Sequence, residues 1–360
     1  MMLNQASGRA YFLSEDFSRR VSVYKIWLTV MVLFIHSYTT TVAMNSGTIV
    51  LQVPRWLDTL KYVISVGICK CAVPGFFVIS AFFLYRKEFS WWENIKKKLR
   101  TLMIPYLIMN TFWVIFYFVC QQIPAVSDYF SNQQNMVAGW DFSGWLRGYG
   151  ITVISPLLYP LWFLKYLFLM NVLSKVYLAV IRKFPTLSAV VLLCAWLWLH
   201  NYSEVQAAIF WGFGCLLAVK QPNIEKLFRW KWVISVGYVL LLAVDTATRH
   251  IVPRELVNKI CILWGVVFWF VCTTEFKSEK FSAMLMKLSG YAFSIYLFHE
   301  MNLFILKKLL AKLLPQTPIM QLVQYVGVPV MIFCYCLILS VLMKKYLPRL
   351  YALITGNRSK

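Results

Sequence analysis

Charged side chains are scarce in this sequence. Asp, Glu, Lys and Arg make up 14% of its 360 residues, whereas they make up about 25% of a typical soluble domain. Hydrophobic residues account for 60%, against about 45–50% in soluble domains. This composition excludes an ordinary soluble protein and predicts an all-α, polytopic membrane bundle.

Acidic residues are the rarest charged group, with 14 Asp and Glu against 36 Lys and Arg and a net charge of +22. In a soluble protein this excess would suggest a nucleic-acid partner. Here the basic residues mostly cluster in short loops between apolar runs, which topology signalling and anionic lipid headgroups explain. We therefore expect the lipid bilayer, and no nucleic acid, as a partner.

Several catalytic motifs are also absent from the sequence. There is no Walker loop, no GxSxG, no HExxH and no CxxC pair, so nothing predicts a P-loop nucleotide site, a hydrolase elbow or a zinc protease. The nine cysteines lie in apolar stretches at spacings that fit neither a zinc site nor a dithiol. These absences predict that cysteine packs as a small hydrophobe and that no metal is bound.

Long apolar runs dominate the chain. About ten of them are long enough to span a bilayer, or nearly so, at 22–44, 60–84, 101–121, 156–181, 185–200, 204–219, 232–248, 256–273, 285–306 and 320–343. With the N-terminus inside, most Lys and Arg fall on the cytoplasmic side. The sequence thus predicts one integral-membrane domain over 1–360, with cytoplasmic segments 1–21 and 344–360. We expect no cleaved signal peptide.

The longest predicted external loop, about 122–155, is polar and aromatic. It contains Trp140, Asp141, Trp145 and Arg147. Aromatic rings beside polar groups suit a sugar surface, but interfacial aromatics are also ordinary membrane anchors. Both interpretations remain open.

Lys25 and His36 are ionisable residues inside the first apolar run. Their eleven-residue spacing puts them on nearly the same helix face, about 16 Å apart along the axis. An ionisable residue in a span is a functional-site hypothesis, and imidazole, with an unperturbed pKa of about 6.5, suits proton transfer. The alternative is that His36 only forms hydrogen bonds across a helix interface.

Further ionisable residues fall at similar depths in other runs, namely Lys70, Lys165, His299 and Glu300. These groups are predicted to meet near the midplane or in the outer half of the membrane, where such clusters mark substrate, ion or proton paths. Glu300 could orient a histidine or neutralise Lys70 or Lys165. Buried pairs that only hold helices together are the alternative.

The second run ends in AVPGFFVISAFFLYRK, and the basic segment FSWWENIKKKLR follows. Arg86 and Lys87, at the predicted cytoplasmic surface, could bind the phosphates of a cytosolic ligand. Positive-inside signalling is the alternative explanation for both.

These residues together resemble the membrane-bound acyltransferase 3 family of bacterial inner membranes. The resemblance rests on four motifs. The first span carries a basic residue and a histidine, here Lys25 and His36, and the second carries an FFxxSG-like stretch, here Phe76, Phe77, Ser80 and Ala81. An LWFL string follows at Leu161–Leu164, and a late span carries a pattern formed here by Ser294, Tyr296, Leu297 and His299. The chain departs from the pattern at Lys25, where arginine is commoner, and at Ala81, where glycine is usual.

The resemblance implies transfer of an acyl group, usually acetyl, from cytosolic acyl-CoA to a hydroxyl of a cell-surface or lipid-linked carbohydrate. His36 would then be the general base, with His299 and Glu300 also catalytic. The donor is expected to bind at four residues, Lys25, Ser80, Arg86 and Lys87. The competing hypotheses are a transporter or flippase for a lipid-linked sugar or small metabolite, and a non-catalytic scaffold.

Overall fold

A computed structural model of the chain describes residues 12, 14–130, 136–153, 155–251, 254–276 and 278–357. Parts of the predicted cytoplasmic segments 1–21 and 344–360, and of the external loop 122–155, therefore lie outside the described residues.

The described chain is almost entirely helical, which confirms the predicted all-α class. The α-helices are α1 Glu15–Ser37, α2 Arg55–Tyr62, α3 Ala72–Tyr85, α4 Trp91–Lys98, α5 Ile104–Gln121, α6 Pro124–Phe130, α7 Phe142–Gly148, α8 Trp162–Val172, α9 Ser174–Lys183, α10 Pro185–Trp198, α11 Ser203–Lys220, α12 Glu225–Arg229, α13 Lys231–Ala247, α14 Arg254–Cys272, α15 Glu279–Ser289, α16 Ala292–Leu313, α17 Pro318–Tyr346 and α18 Pro348–Thr355. Shorter π and 3₁₀ segments are Val63–Ile68, Cys69–Cys71, Leu99–Met103, Val137–Gly139 and Tyr159–Leu161. Strands β1 Thr41–Met44 and β2 Gly47–Val50 form an antiparallel hairpin.

Five helical stretches among the described residues are long and apolar enough to cross a membrane, or seven if two bent helix pairs each count as one span. The predicted count of ten is therefore not confirmed. The remaining three predicted runs do form helices, but α10 has 14 residues and α13 has 17. The third, α11, has 18 residues and carries Glu204 and Lys220 at its ends. The apolar runs thus predicted the three helices, but α10 and α13 are too short for a span and α11 is not apolar enough.

The helices group into two compact units, each made of three chain segments. The first unit comprises Met1–Val32, Tyr62–Lys96 and Leu169–Ala292. Within this unit, α3 and α11 pack closely against each other. A Cβ added at Gly214 would lie 2.3 Å from the carbonyl oxygen of Val78 and 2.7 Å from Cβ of Ala81. The close approach that glycine usually permits at position 81 is thus provided from the opposite helix, where Gly214 faces Ala81.

The second unit comprises Leu33–Lys61, Lys97–Phe168 and Phe293–Lys360. In the predicted external loop, Asp141 caps α7 by accepting a hydrogen bond from the backbone N–H of Gly144 at 2.6 Å. The ring of Trp140 lies against Gly148, where an added Cβ would approach it to 2.3 Å. These two side chains therefore have local structural roles, while Trp145 is 45% exposed.

Most cysteines have the predicted packing role. Six of the nine are buried, and Cys194 and Cys334 are the two that are exposed.

Candidate active site

His36 and His299 come together in the second unit. His36 lies in the last turn of α1, and His299 lies in α16. Their ring centroids are 5.2 Å apart, with the planes inclined by 56°. The ring of Tyr159 is 6.2 Å from that of His36. The structure thus brings the two histidines next to each other, as predicted.

The ring of His299 has one nitrogen engaged and one nitrogen unused. Nδ1 lies 2.7 Å from the backbone oxygen of Tyr296. A carbonyl can only accept a hydrogen bond, so a neutral His299 carries its proton on Nδ1 and leaves Nε2 as an acceptor. Among the described residues, this Nε2 is buried without a hydrogen-bond partner. An orphaned buried acceptor next to a second imidazole suits a group that exchanges a proton or orients its neighbour.

The ring of His36 is less constrained. Its side chain is half-buried, and no described residue forms a hydrogen bond with either ring nitrogen. Both nitrogens are therefore available to a substrate. A general base needs such access, because it must reach the proton that it removes.

Glu300 follows His299 and has a different partner from those predicted. Its electrostatic neighbours include Lys307, Tyr117 and Tyr159. Its Oε2 is buried and, within the described residues, has no hydrogen-bond partner. Glu300 therefore lies close enough to Lys307 and Tyr159 to interact electrostatically with both.

Lys307 is a member of this group that the sequence analysis did not single out, because it lies just beyond the predicted run 285–306. It lies two turns beyond Glu300 on α16, and its Nζ donates a hydrogen bond of 2.9 Å to the backbone oxygen of His36. That carbonyl ends a helix and has no intrahelical partner of its own. The signal that could have identified Lys307 is its seven-residue spacing from Glu300, which puts both on one helix face.

Lys165 and Lys70 are the two lysines predicted to join the cluster. Nζ of Lys165 donates hydrogen bonds of 2.9 Å to the backbone oxygens of Gly150 and Val153. It thus anchors the loop before α8. Lys70 belongs to the first unit. Ser294, from the late sequence pattern, contacts Ser340 at 2.8 Å and Tyr351 at 3.1 Å, which indicates a role in packing.

The four residues predicted to bind the donor all lie in the first unit, namely Lys25, Ser80, Arg86 and Lys87. Two of the cations share one aromatic ring: Nζ of Lys25 is 5.4 Å, and Cζ of Arg86 is 4.2 Å, from the ring centroid of Phe83. Lys87 is exposed and Ser80 is half-buried. Phe83 also lines an almost wholly apolar cavity of about 320 Å³, so the ring that both cations contact also borders this cavity.

The fold and this site define a multi-pass membrane protein with a histidine pair, a carboxylate and a lysine clustered within its helices. A family model described as an acyltransferase domain matches residues 20–343. The chain therefore belongs to the acyltransferase 3 family, and the resemblance seen in its motifs is confirmed.

One similar protein is the succinoglycan biosynthesis protein ExoH of Rhizobium meliloti (strain 1021). The two are 23% identical over 309 residues, covering 80% of this chain and 79% of the relative. No solved structure matches the chain.

Proposed function

We propose that this acyltransferase moves an acyl group, most simply acetyl, from cytosolic acyl-CoA to a hydroxyl of a cell-surface or lipid-linked carbohydrate in the bacterial inner membrane. The family supports acyl transfer, and a relative that is named for the biosynthesis of a polysaccharide supports a glycan acceptor. The observation that carries the proposal is the proximity of His36 and His299, whose ring centroids are 5.2 Å apart.

In this proposal His36 acts as the general base. It removes the proton from the acceptor hydroxyl as the oxygen attacks the thioester carbonyl. The C–S bond then breaks, and the CoA thiolate takes up that proton from the imidazolium. The products are the O-acyl glycan and free CoA, so the reaction balances without a further reactant.

His299 and Glu300 assist the base. His299, whose Nδ1 is held by the carbonyl of Tyr296, presents Nε2 as an acceptor that can orient the neighbouring ring. Glu300 favours the positive charge that develops on the imidazole, since an opposite charge nearby stabilises the charged form. Lys307 holds the backbone of His36 in place.

Donor recognition is assigned to the first unit. Arg86 and Lys87 would bind CoA phosphates by charge-assisted hydrogen bonds, and Lys25 and Ser80 would position the arm that carries the thioester. The apolar cavity lined by Phe83 supports this placement, because the same ring contacts the side chains of Lys25 and Arg86.

A transporter or flippase remains the second candidate, because bent helix pairs, of which the described chain has two, also occur in transporters. Inside-out vesicles given radiolabelled acetyl-CoA distinguish the two. Label in glycan supports the enzyme, whereas movement of unmodified substrate without label transfer would support transport and contradict our proposal.

A further inference from the structure

A small cavity in the second unit is lined by both apolar and polar side chains, and neither histidine ring is part of its lining. Its volume is about 30 Å³, which is enough for about two water molecules or the oxygens of one small oxyanion. Its polar lining residues are Ser37, Thr39, Lys61, Lys307, Gln321, Gln324 and Tyr325.

The lining is strongly biased toward positive charge. It includes two lysines, and no acidic residue is among the described residues that form it. Lys61 is only 3% exposed, and its Nζ lies 5.8 Å from the ring centroid of Tyr325. Two carboxylates outside the lining interact electrostatically with these lysines, Asp58 with Lys61 and Glu300 with Lys307. The two ammonium groups also act on each other, and an anion between them would relieve that repulsion.

Three buried polar atoms of the cavity lack partners among the described residues. They are Oγ of Ser37, Oε1 of Gln321 and Nε2 of Gln324. Ser37 and Gln321 are 5% and 2% exposed. The amide nitrogen of Gln321 already donates to two backbone oxygens at 3.0 Å, which fixes its carbonyl as the free group. Buried polar atoms are normally paired, so the cavity offers two donors and one acceptor to an occupant.

The cavity adjoins the proposed base. Lys307 lines it and donates to the backbone oxygen of His36 at 2.9 Å, and Ser37 is the next residue in the chain. An occupant would therefore lie beside the acceptor hydroxyl rather than at a remote surface.

We propose that this cavity binds an oxyanion, a carboxylate or a phosphate, carried by the acceptor glycan. The ammonium groups and the donors Ser37 and Gln324 would hold the anion, and Oε1 of Gln321 would accept a hydrogen bond from an adjacent sugar hydroxyl. Assigning the anion to the acceptor rests on the proposed function, whereas anion binding itself does not.

Thermal unfolding of the full-length protein in detergent tests the binding without any turnover. The probes are glucuronate, inorganic phosphate and, as the neutral match, glucose. We expect glucuronate, phosphate or both to raise the Tm of the wild type, and glucose to leave it unchanged. Glucuronate alone would assign a carboxylate, and phosphate alone a phosphate. Equal shifts with glucose, or no shift with either anion, would overturn the proposal.

Lys61→Gln removes one ammonium group. The anion concentration needed for a given Tm shift should then rise at least about tenfold, as expected for a lost charge-assisted hydrogen bond. Lys61→Arg should restore most of the anion response. The matched control is Lys308→Gln, because Lys308 is another buried lysine of the same unit, 2% exposed, that donates to the backbone oxygen of Tyr129. Its loss should lower the Tm without changing the anion response. An anion response that is unchanged in Lys61→Gln would also overturn the proposal.

Acetyl transfer then separates the two proposals. In the wild type, an acidic acceptor oligosaccharide should have a lower KM than its neutral counterpart, and Lys61→Gln should abolish that difference. A wild type that transfers acetyl without this discrimination would overturn the acceptor assignment alone. A wild type that binds anions but transfers nothing would overturn the proposed function and leave the anion site standing.

Discussion

The two histidines of the second unit use their ring nitrogens differently. His299 commits Nδ1 to a backbone carbonyl, whereas no described residue forms a hydrogen bond with either ring nitrogen of His36. A ring held by a hydrogen bond is suited to positioning its neighbour, whereas a ring whose nitrogens form no hydrogen bonds is suited to exchanging a proton with substrate. This difference makes His36 the stronger assignment for the base.

We predict that His36→Ala lowers kcat for acyl transfer by about 10²–10⁴-fold while expression and insertion stay normal. A proton-transfer role acts in the transition state, so kcat should fall more than KM rises. The measurement is label transfer from acetyl-CoA in vesicles with matched amounts of protein.

His200→Ala is the control, because the side chain of His200 is 74% exposed and no role in the reaction is assigned to it; the activity of this variant should match the wild type. His299→Ala should lose less activity than His36→Ala. If the His36→Ala protein acylates at nearly the wild-type rate, His36 is not the general base, and the assignment passes to His299 with Glu300.

The donor assignment makes a separate prediction for Arg86 and Lys87. Replacing both with Gln should raise the apparent KM for acyl-CoA and change kcat little, because phosphate contacts are present in both the ground and transition states. Charge-assisted hydrogen bonds are worth about 1.5–3 kcal/mol, which corresponds to roughly 10–150-fold. The measurement is initial rate against acyl-CoA concentration.

Lys344→Gln with Lys345→Gln is the matched control, since these neighbours are also basic and predicted to be cytoplasmic. If the double variant of Arg86 and Lys87 has an unchanged KM for acyl-CoA, these two residues serve only as topology signals.

Single residues also mark where sequence reasoning was sufficient and where it was not. The depth of His36 and His299 along their runs predicted that they could meet, because helical rise converts position into depth. The role of Lys307 was missed because a lysine near the end of an apolar run reads as a topology signal. Its partner is the carbonyl of His36, 271 residues away in the chain, and only the tertiary fold determines that contact.

At the scale of helices, the packing of α3 against α11 depends on a glycine. We predict that Gly214→Ala destabilises the protein by about 1–3 kcal/mol, the usual cost of overpacking, since the new Cβ would meet the backbone oxygen of Val78 at 2.3 Å. A lower Tm of the detergent-solubilised protein is the measurement.

Gly327→Ala is the control within α17, because no atom lies within 4 Å of a Cβ added there. It should leave the Tm unchanged or raise it slightly, since alanine favours helix over glycine. Equal Tm values for the two variants would contradict the close contact between α3 and α11.

Helix identity was predictable from apolar runs, but helix continuity was not. The runs at 156–181 and 285–306 were each predicted as one span, and each contains a bent pair of helices. One bend falls between Ser289 and Ala292, where hydrophobicity alone gives no signal. Breaks of this kind depend on local backbone geometry, which a count of apolar residues does not register.

For the whole molecule, the distribution of basic residues predicts the topology. Cysteines introduced one at a time in 86–100 and in the C-terminal segment should react only with reagents that reach the cytoplasm. Cysteines in 122–155 should react from outside. External labelling near Lys97 would contradict this topology, and a cysteine-free background that retains activity is the necessary control.

The interleaving of the two units sets the order in which they can be completed during synthesis. All three segments of the first unit exist once Ala292 has been made, whereas the second unit still lacks Phe293–Lys360. That last segment carries His299, Glu300 and Lys307. Since chains are made from the N-terminus and units fold as their parts emerge, a nascent chain holds the residues proposed to bind the donor well before it can pair His36 with His299. Under the proposed function, acyl transfer can therefore begin only after the final helices have been made.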